Sequence, residues 1–228
     1  MSEETFQVSV PGHDTVTAIR TAPGGPSEPG VAFIYSPGAG SNVHDPFGVH
    51  ACRRLASIGY PAVRFQFPYM EARRRRPDRT SVLEATWLAV MEEFRHLAAG
   101  LVAGGRSMGG RIASQVVAEG ADAAGLALFA YPLSPPQSPA VRRDEHLPRI
   151  AVPTLFCSGT RDTFATPEDL RLAASKVPVA AVHLLEGADH GFGVLKSSRR
   201  SREDVRDEAI DALLGWLAGD VVGIVDKT

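Results

Sequence analysis

The chain has 228 residues, 44% of them hydrophobic and 22% charged, with a formal net charge of −2 at pH 7. That length suits one large domain or two small ones, and the hydrophobic fraction supports a sizeable core and excludes general disorder. The near-neutral balance removes the general electrostatic case for nucleic-acid binding.

In chain order, Met1-Ser2-Glu3-Glu4-Thr5 is acidic and polar, without the basic start and apolar middle of a secretory leader. No apolar run approaches the roughly 18 residues of a membrane span. The expectation is a soluble, cytoplasmic protein. Residues 6–10 and 15–20 alternate apolar and polar around Pro11-Gly12-His13-Asp14, which predicts a β-hairpin. After a Pro/Gly-rich connection at 23–30, Val31-Ala32-Phe33-Ile34-Tyr35 reads as a buried parallel strand. It runs into the loop Ser36-Pro37-Gly38-Ala39-Gly40-Ser41-Asn42. Residues 46–59 are helical, with Asp45 as N-cap, Pro46 at the first helical position and Gly59 just past the end. Residues 62–67 form the next strand, and Arg73-Arg74-Arg75-Arg76-Pro77-Asp78 a polar loop. A helix over 81–99 places Val82, Leu83, Trp87, Val90, Met91, Phe94 and Leu97 at helical spacing.

The alternation continues with strands at 101–103, 126–129, 154–157 and 182–185, and helices at 108–119, 167–175 and 204–218. This pattern predicts an α/β fold in three layers: a mostly parallel sheet with helices on both faces, in one domain spanning 1–228. The Pro-rich stretch 132–139 reads as a surface loop.

Gly105-Arg106-Ser107-Met108-Gly109 fits G-x-S-x-G, follows an apolar strand and opens a helical pattern. That is the setting of a nucleophile elbow. The serine would sit on a sharp, strained turn where flanking side chains would collide with neighbouring elements. The turn lifts the hydroxyl above the sheet edge, with the helix N-terminus facing a developing negative charge. The plainer reading is a glycine-rich turn with a serine N-cap.

A serine hydroxyl needs a positioned base. Of seven histidines, His13, His44, His50, His96, His146 and His183 fall in the hairpin, the first loop and helix, a later helix, an inter-strand segment and a strand. His190 lies in the loop after the last strand, where an open α/β sheet places its ligands. Asp162, just after the strand at 154–157, is the expected orienting acid. Asp189 is its rival, but a sequence neighbour is poorly placed to reach back to the ring. The order Ser107, Asp162, His190 agrees with such an elbow. Oxyanion donors are expected at the backbone N–H groups of Met108 and Ala39, with Gly40 as the alternative to Ala39.

Gly-Arg-Ser-Met-Gly-Gly-Arg at 105–111, Gly-Thr-Arg-Asp at 159–162 and Asp-His-Gly-Phe at 189–192 together resemble the α/β-hydrolase superfamily, over about residues 31–218. Within it, Phe67-Pro68-Tyr69-Met70-Glu71 before the arginine-rich loop looks like the small hydrolase-like family named for a testis-expressed protein and an NSL-complex subunit. Its bacterial members are often labelled dienelactone-hydrolase-like. The resemblance implies a lidless α/β-hydrolase core with Ser107, Asp162 and His190 as its triad. Many relatives carry His-Gly where this chain has Pro37-Gly38. Dienelactone hydrolases proper use cysteine at the elbow. Here that position is Ser107, and Cys52 and Cys157 read as buried packing residues without a partner at zinc spacing. Serine implies acyl transfer to water, so the label speaks for fold and not for lactone chemistry.

The stretch between the strands at 126–129 and 154–157 is too short and proline-rich for a lid, which implies a shallow, open site and disfavours a long-chain lipase. Phe67, Tyr69, Tyr131, Leu133, Phe164 and Phe192 each follow a strand or adjoin a catalytic loop. They are expected as pocket walls, with core packing as the plainer reading. The Arg73-to-Arg76 run reads as a solvated loop, or as an attractor of an anionic acyl substrate or partner. Arg106 and Arg111 are expected in ion pairs around the elbow. The function expected is cleavage of a small ester or thioester, with a small-molecule acyl substrate and no metal or organic cofactor. Nucleic-acid and membrane partners are not expected. The alternative is a non-catalytic binding or scaffold protein on the same fold, with a peptidase behind it.

Overall fold

Apolar runs punctuated by Gly and Pro become eight strands of one sheet in the computed structural model, which describes residues 1–25, 30–135, 138 and 140–221. Parts of the predicted connections at 23–30 and 132–139 lie outside the described residues. The strands run in the order β1-β2-β4-β3-β5-β6-β7-β8. The predicted hairpin is β1 (Ser2–Val8) paired antiparallel with β2 (Val16–Ala22), and β2 joins β4 (Ala62–Phe65) antiparallel. From β4 onward all neighbours are parallel: β3 (Val31–Ser36), β5 (Gly100–Arg106), β6 (Gly125–Phe129), β7 (Thr154–Gly159) and β8 (Ala180–Leu185).

Every residue of β3, β4, β6 and β7 is buried, because helices cover both faces. Helices α1 (Pro46–Ser57) and α6 (Arg202–Trp216) pack on one face, where Phe33, Phe47 and Phe129 belong to the core. Helices α3 (Thr80–Glu93), α4 (Met108–Ala118) and α5 (Pro167–Ala174) cover the other, around Phe65, Trp87 and Ile112. Phe65 meets Trp87 edge-on at 4.8 Å between ring centroids. Burying each such ring contributes roughly 1.5–3 kcal/mol relative to leaving it in water. Among the described residues no separate lid lies between β6 and β7, and no helix is long and apolar enough to cross a membrane.

The boundaries differ from the sequence pattern where local chemistry decides. The strand at 62–67 stops at Phe65, because Pro68 opens a one-turn helix, α2 (Pro68–Glu71). The helix at 81–99 ends at Glu93 and tightens into a 3-10 turn over Arg95–Leu97. The last helix starts at Arg202 rather than at Asp204, since Asp204 is the N3 partner of Ser201 in a capping box. Asp45 caps α1 as expected, accepting from the Gly48 N–H at 3.0 Å, and Gly59 takes the left-handed conformation just past its end (φ 101°).

Candidate active site

The turn from β5 into α4 forces Ser107 to φ 53° and ψ −118°, a conformation that costs an L-residue strain. Two contacts lock it. The Ser107 N–H donates to the Phe129 carbonyl at 2.8 Å, and the Ser107 carbonyl accepts from Arg111 N–H at 3.0 Å. The flanking glycines are required by close approach. A Cβ at Gly105 would lie 2.6 Å from the Ser36 carbonyl oxygen, and one at Gly109 would lie 2.3 Å from it and 2.5 Å from that of Pro37. The loop after β3 therefore rests directly on the start of α4.

The structure brings Ser107, His190 and Asp162 together. Ser107 Oγ lies 2.9 Å from His190 Nε2, and His190 Nδ1 lies 2.9 Å from Asp162 Oδ2 and 3.0 Å from Oδ1. An ionised carboxylate only accepts, so Nδ1 carries the hydrogen and Nε2 is left to accept from the serine hydroxyl. The Asp162 side chain is fully buried, and it also accepts from Ser158 Oγ at 3.1 Å and Phe164 N–H at 2.8 Å. The His190 ring, about a quarter exposed, stacks on Phe164 with centroids 4.1 Å apart. The rival Asp189 is occupied within its own loop, accepting from Gly191 N–H at 2.8 Å and Gly193 N–H at 2.7 Å. Three other histidines are engaged elsewhere: His50 with Asp207, His183 with Glu208, and His146 with Ser114.

These side chains open into a cleft of about 420 Å³ that includes Ala39, Ser107, Met108, Pro132, Phe164 and His190. It lies at the C-terminal ends of the parallel strands, as the topology dictates. Of the aromatic walls expected from sequence, Phe164 alone lines it. Phe67, Tyr69, Tyr131, Leu133 and Phe192 are buried in the core instead. Phe67 stacks on Tyr69 at 6.5 Å, Tyr131 meets Phe156 edge-on at 5.9 Å, and Phe192 meets Phe47 edge-on at 5.2 Å. Following a strand places a side chain near the sheet edge, but the facing helices decide whether it turns inward. The Tyr69 hydroxyl is buried against the Gly40 backbone without a well-formed hydrogen bond. Burial pushes its pKa up to about 12.

Sequence reading missed Pro77, Asp78, Thr80, Leu83 and Arg143 as further residues of the cleft. Pro77 and Asp78 lie in the connection from β4 to α3, and Thr80 opens α3, beyond a parallel strand end, so the same topological rule could have found them. Arg143 lies in a connection with no periodic signal. Asp45, a helix cap by its sequence, is also a buried hub. It accepts from Tyr35 Oη at 2.7 Å and Ser41 Oγ at 3.1 Å, and pairs with Arg106 at 3.5 Å. Burial and the neighbouring Asp45 carboxylate hold the Tyr35 phenol well above its ordinary pKa. From the other side, Gln66 Oε1 accepts from Val43 N–H at 3.0 Å and Arg64 Nε donates to the Val43 carbonyl at 3.1 Å. The loop after β3 is thus fixed at both ends.

Arg106 is paired as expected, but Arg111 makes no ion pair among the described residues. It donates to Gln115 Oε1 at 3.1 Å instead. The Arg73-to-Arg76 run is exposed, and Arg74 pairs with Asp78 at 2.7 Å. Both cysteines are buried and unpaired with each other; loss of hydration pushes both thiols up, Cys52 to about 12. Among the described residues no cluster of His, Cys, Asp and Glu could hold a metal ion.

The family described as Alpha/beta hydrolase domain matches residues 29–218. Solved structures extend the likeness over nearly the whole chain. Est1E from Butyrivibrio proteoclasticus is 13% identical, with 94% of this chain and 99% of that one covered and a TM-score of 0.74. An alpha-beta serine hydrolase homologue from Coxiella burnetii is 19% identical, covering 93% and 98%, also at 0.74. A serine hydrolase without lid from Xanthomonas campestris is 17% identical, covering 95% of each chain at 0.70.

Proposed function

The chain belongs to the alpha/beta hydrolase family, and from that membership we propose that it is a serine hydrolase cleaving a small carboxylic ester or thioester through an acyl-enzyme. The observation that carries this reading is the unbroken hydrogen-bonded chain from Ser107 Oγ through His190 to the buried Asp162. Ser107 Oγ attacks the acyl carbonyl while His190 Nε2 takes its proton. Asp162 keeps Nδ1 protonated and stabilises the imidazolium. His190 then gives the proton to the leaving oxygen or sulfur. Water attacks the acyl-serine with His190 again as base, releasing the acid and restoring the serine. These steps need no metal or organic cofactor.

The oxyanion is held by the backbone N–H groups of Met108 and Ala39. Met108 is the first residue of α4, so its N–H is free of the intrahelical ladder and lies where the helix dipole favours negative charge. Ala39 borders the cleft beside Ser107, whereas Gly40 lies against Tyr69, which favours Ala39 over Gly40. The Asp45 hub and the contact of Ser36 and Pro37 with Gly109 fix that loop without the His-Gly pair of many relatives. The open cleft suits a small acyl group rather than a long lipid chain.

The test is labelling by a fluorophosphonate probe of the wild type beside Ser107→Ala and His190→Ala. Labelling of the wild type alone is the expected result and justifies a screen of short acyl esters and thioesters. A folded wild type that resists the probe overturns the reading and leaves the scaffold alternative.

A further inference from the structure

Two guanidinium groups share the cleft with Ser107, and neither pairs with a carboxylate among the described residues. Arg111, one turn along α4, and Arg143, from the connection between β6 and β7, both line the cleft and are both half-buried. Among the described residues, neither makes an ion pair, and the Arg143 guanidinium has no hydrogen-bond partner. The acidic groups nearby are committed or distant. Asp144 is buried and saturated by Arg142 at 2.8 Å and Lys176 at 3.0 Å. Asp78 pairs with Arg74, and Glu84 on α3 comes near Arg111 without an ion pair. Two partly desolvated like charges facing each other are unfavourable unless an anion joins them. Loss of hydration and the charge of Arg143 accordingly pull the Arg111 guanidinium below its ordinary pKa.

Both arginines are anchored from beneath by one buried polar cluster. Tyr131 Oη donates to the Arg143 carbonyl at 2.8 Å, and Ser114 Oγ donates to the Arg111 carbonyl at 2.7 Å. His146 Nε2 lies 2.7 Å from Ser114 Oγ and ties the two halves together. The expected wall residue Tyr131 thus supports the cleft from within the core.

We propose that Arg111 and Arg143 form an oxyanion-binding subsite, so that the substrate is an ester or thioester carrying a carboxylate or phosphate on its acyl part or its leaving group. This rests on the serine-hydrolase reading. Charge-assisted hydrogen bonds from planar guanidinium forks give orientation as well as attraction. The exposed Arg73-to-Arg76 run, whose cleft shares Pro77 and Asp78 with the catalytic one, adds positive potential along the approach.

The experiment compares kcat/KM on mono-4-nitrophenyl glutarate, which ends in a carboxylate, with that on 4-nitrophenyl pentanoate, which does not. The expected wild-type preference for the charged ester is about tenfold or more, and Arg111→Gln or Arg143→Gln lowers that ratio about tenfold. Arg143→Lys restores part of it. In parallel, the Ser107→Ala protein is titrated calorimetrically with glutarate and with inorganic phosphate, which separates the two anion sources. The double Arg→Gln substitution in that background is expected to abolish the heat. Equal rates on both esters with an unmoved ratio, or no binding of either anion, overturns the subsite. Fluorophosphonate labelling is scored separately: a labelled enzyme indifferent to charge loses only the subsite, while an unlabelled one loses the hydrolase reading. If Arg111→Gln fails to fold, Arg143→Gln on its surface connection decides.

Discussion

The two flanks of Ser107 treat their arginines in opposite ways. On the side of the loop after β3, Arg106 meets the buried Asp45, and Arg64 donates to Val43 O, Thr21 Oγ1 and Glu3. On the side of the β6–β7 connection, Arg111 and Arg143 face the cleft with no acidic partner among the described residues. A guanidinium held by a buried carboxylate or by several protein acceptors serves the fold. One that opens into a cavity beside Ser107 keeps donors facing solution, which is what the proposed subsite uses. The comparison also shows why one sequence feature, an arginine near the elbow, gives no single answer: Arg106 and Arg111 are five residues apart and have different fates.

The largest expected effect comes from the residue between the flanks. Ser107→Ala should lower turnover by about 10⁴-fold or more while shifting unfolding free energy by about 1 kcal/mol or less. Ester hydrolysis and urea denaturation measure the two. Gly109→Ala strikes the packing of the first flank on α4, where backbone lies 2.3 Å from the new Cβ. A loss of about 3 kcal/mol or more is expected by chemical denaturation, and near-wild-type stability would show that the loop yields freely. Beneath the second flank, burial holds His146 down to about 4 from 6.5. The unfolded chain binds its proton more readily, so stability is full above pH 6.5 and falls as pH drops towards 4, by up to about 3 kcal/mol. His146→Gln should remove that part of the slope in urea melts at pH 7 and pH 4.5.

The smallest pair sharpens the contrast itself. Asp45→Ala should cost about 2 kcal/mol, since it removes a helix cap and leaves the buried Tyr35 hydroxyl unpaired. Arg111→Gln should change stability by about 0.5 kcal/mol or less, because no ion pair is lost. Equal thermal shifts for the two variants would erase the distinction between the flanks.

Much of this was legible in the residues. Strand and helix order followed from runs such as Val31 to Tyr35 and from caps such as Asp45-Pro46. The meeting of Ser107, Asp162 and His190 followed from the rule that parallel strands present their loops at one end. The pocket walls were not legible. Phe67 and Phe192 stand at the right height in the sheet, but whether a ring points to solvent or core depends on helices far away in sequence, such as α1 bringing Phe47 against Phe192. An ion pair was expected for both Arg106 and Arg111, and Arg111 has none among the described residues; even for Arg106 the partner was not legible. Arg106 finds Asp45 across 61 positions, and no local pattern records that separation.

The arrangement of the sheet also bears on how the protein avoids its own kind. Among the described residues no strand pairs with the outer edge of β1 or of β8, where a strand from a second molecule could add and begin a growing assembly. At the β1 margin, exposed Glu3 and Glu4 are ion-paired with Arg53, Arg64 and Arg20, so an incoming strand meets charged side chains that it would have to desolvate. At the β8 margin, Val182 and, just before the strand, Val179 are exposed apolar residues, while His183 contacts Glu208. Self-templated aggregation of the folded protein would therefore start at β8, and a lysine in place of Val182 would be the simplest way to stop it.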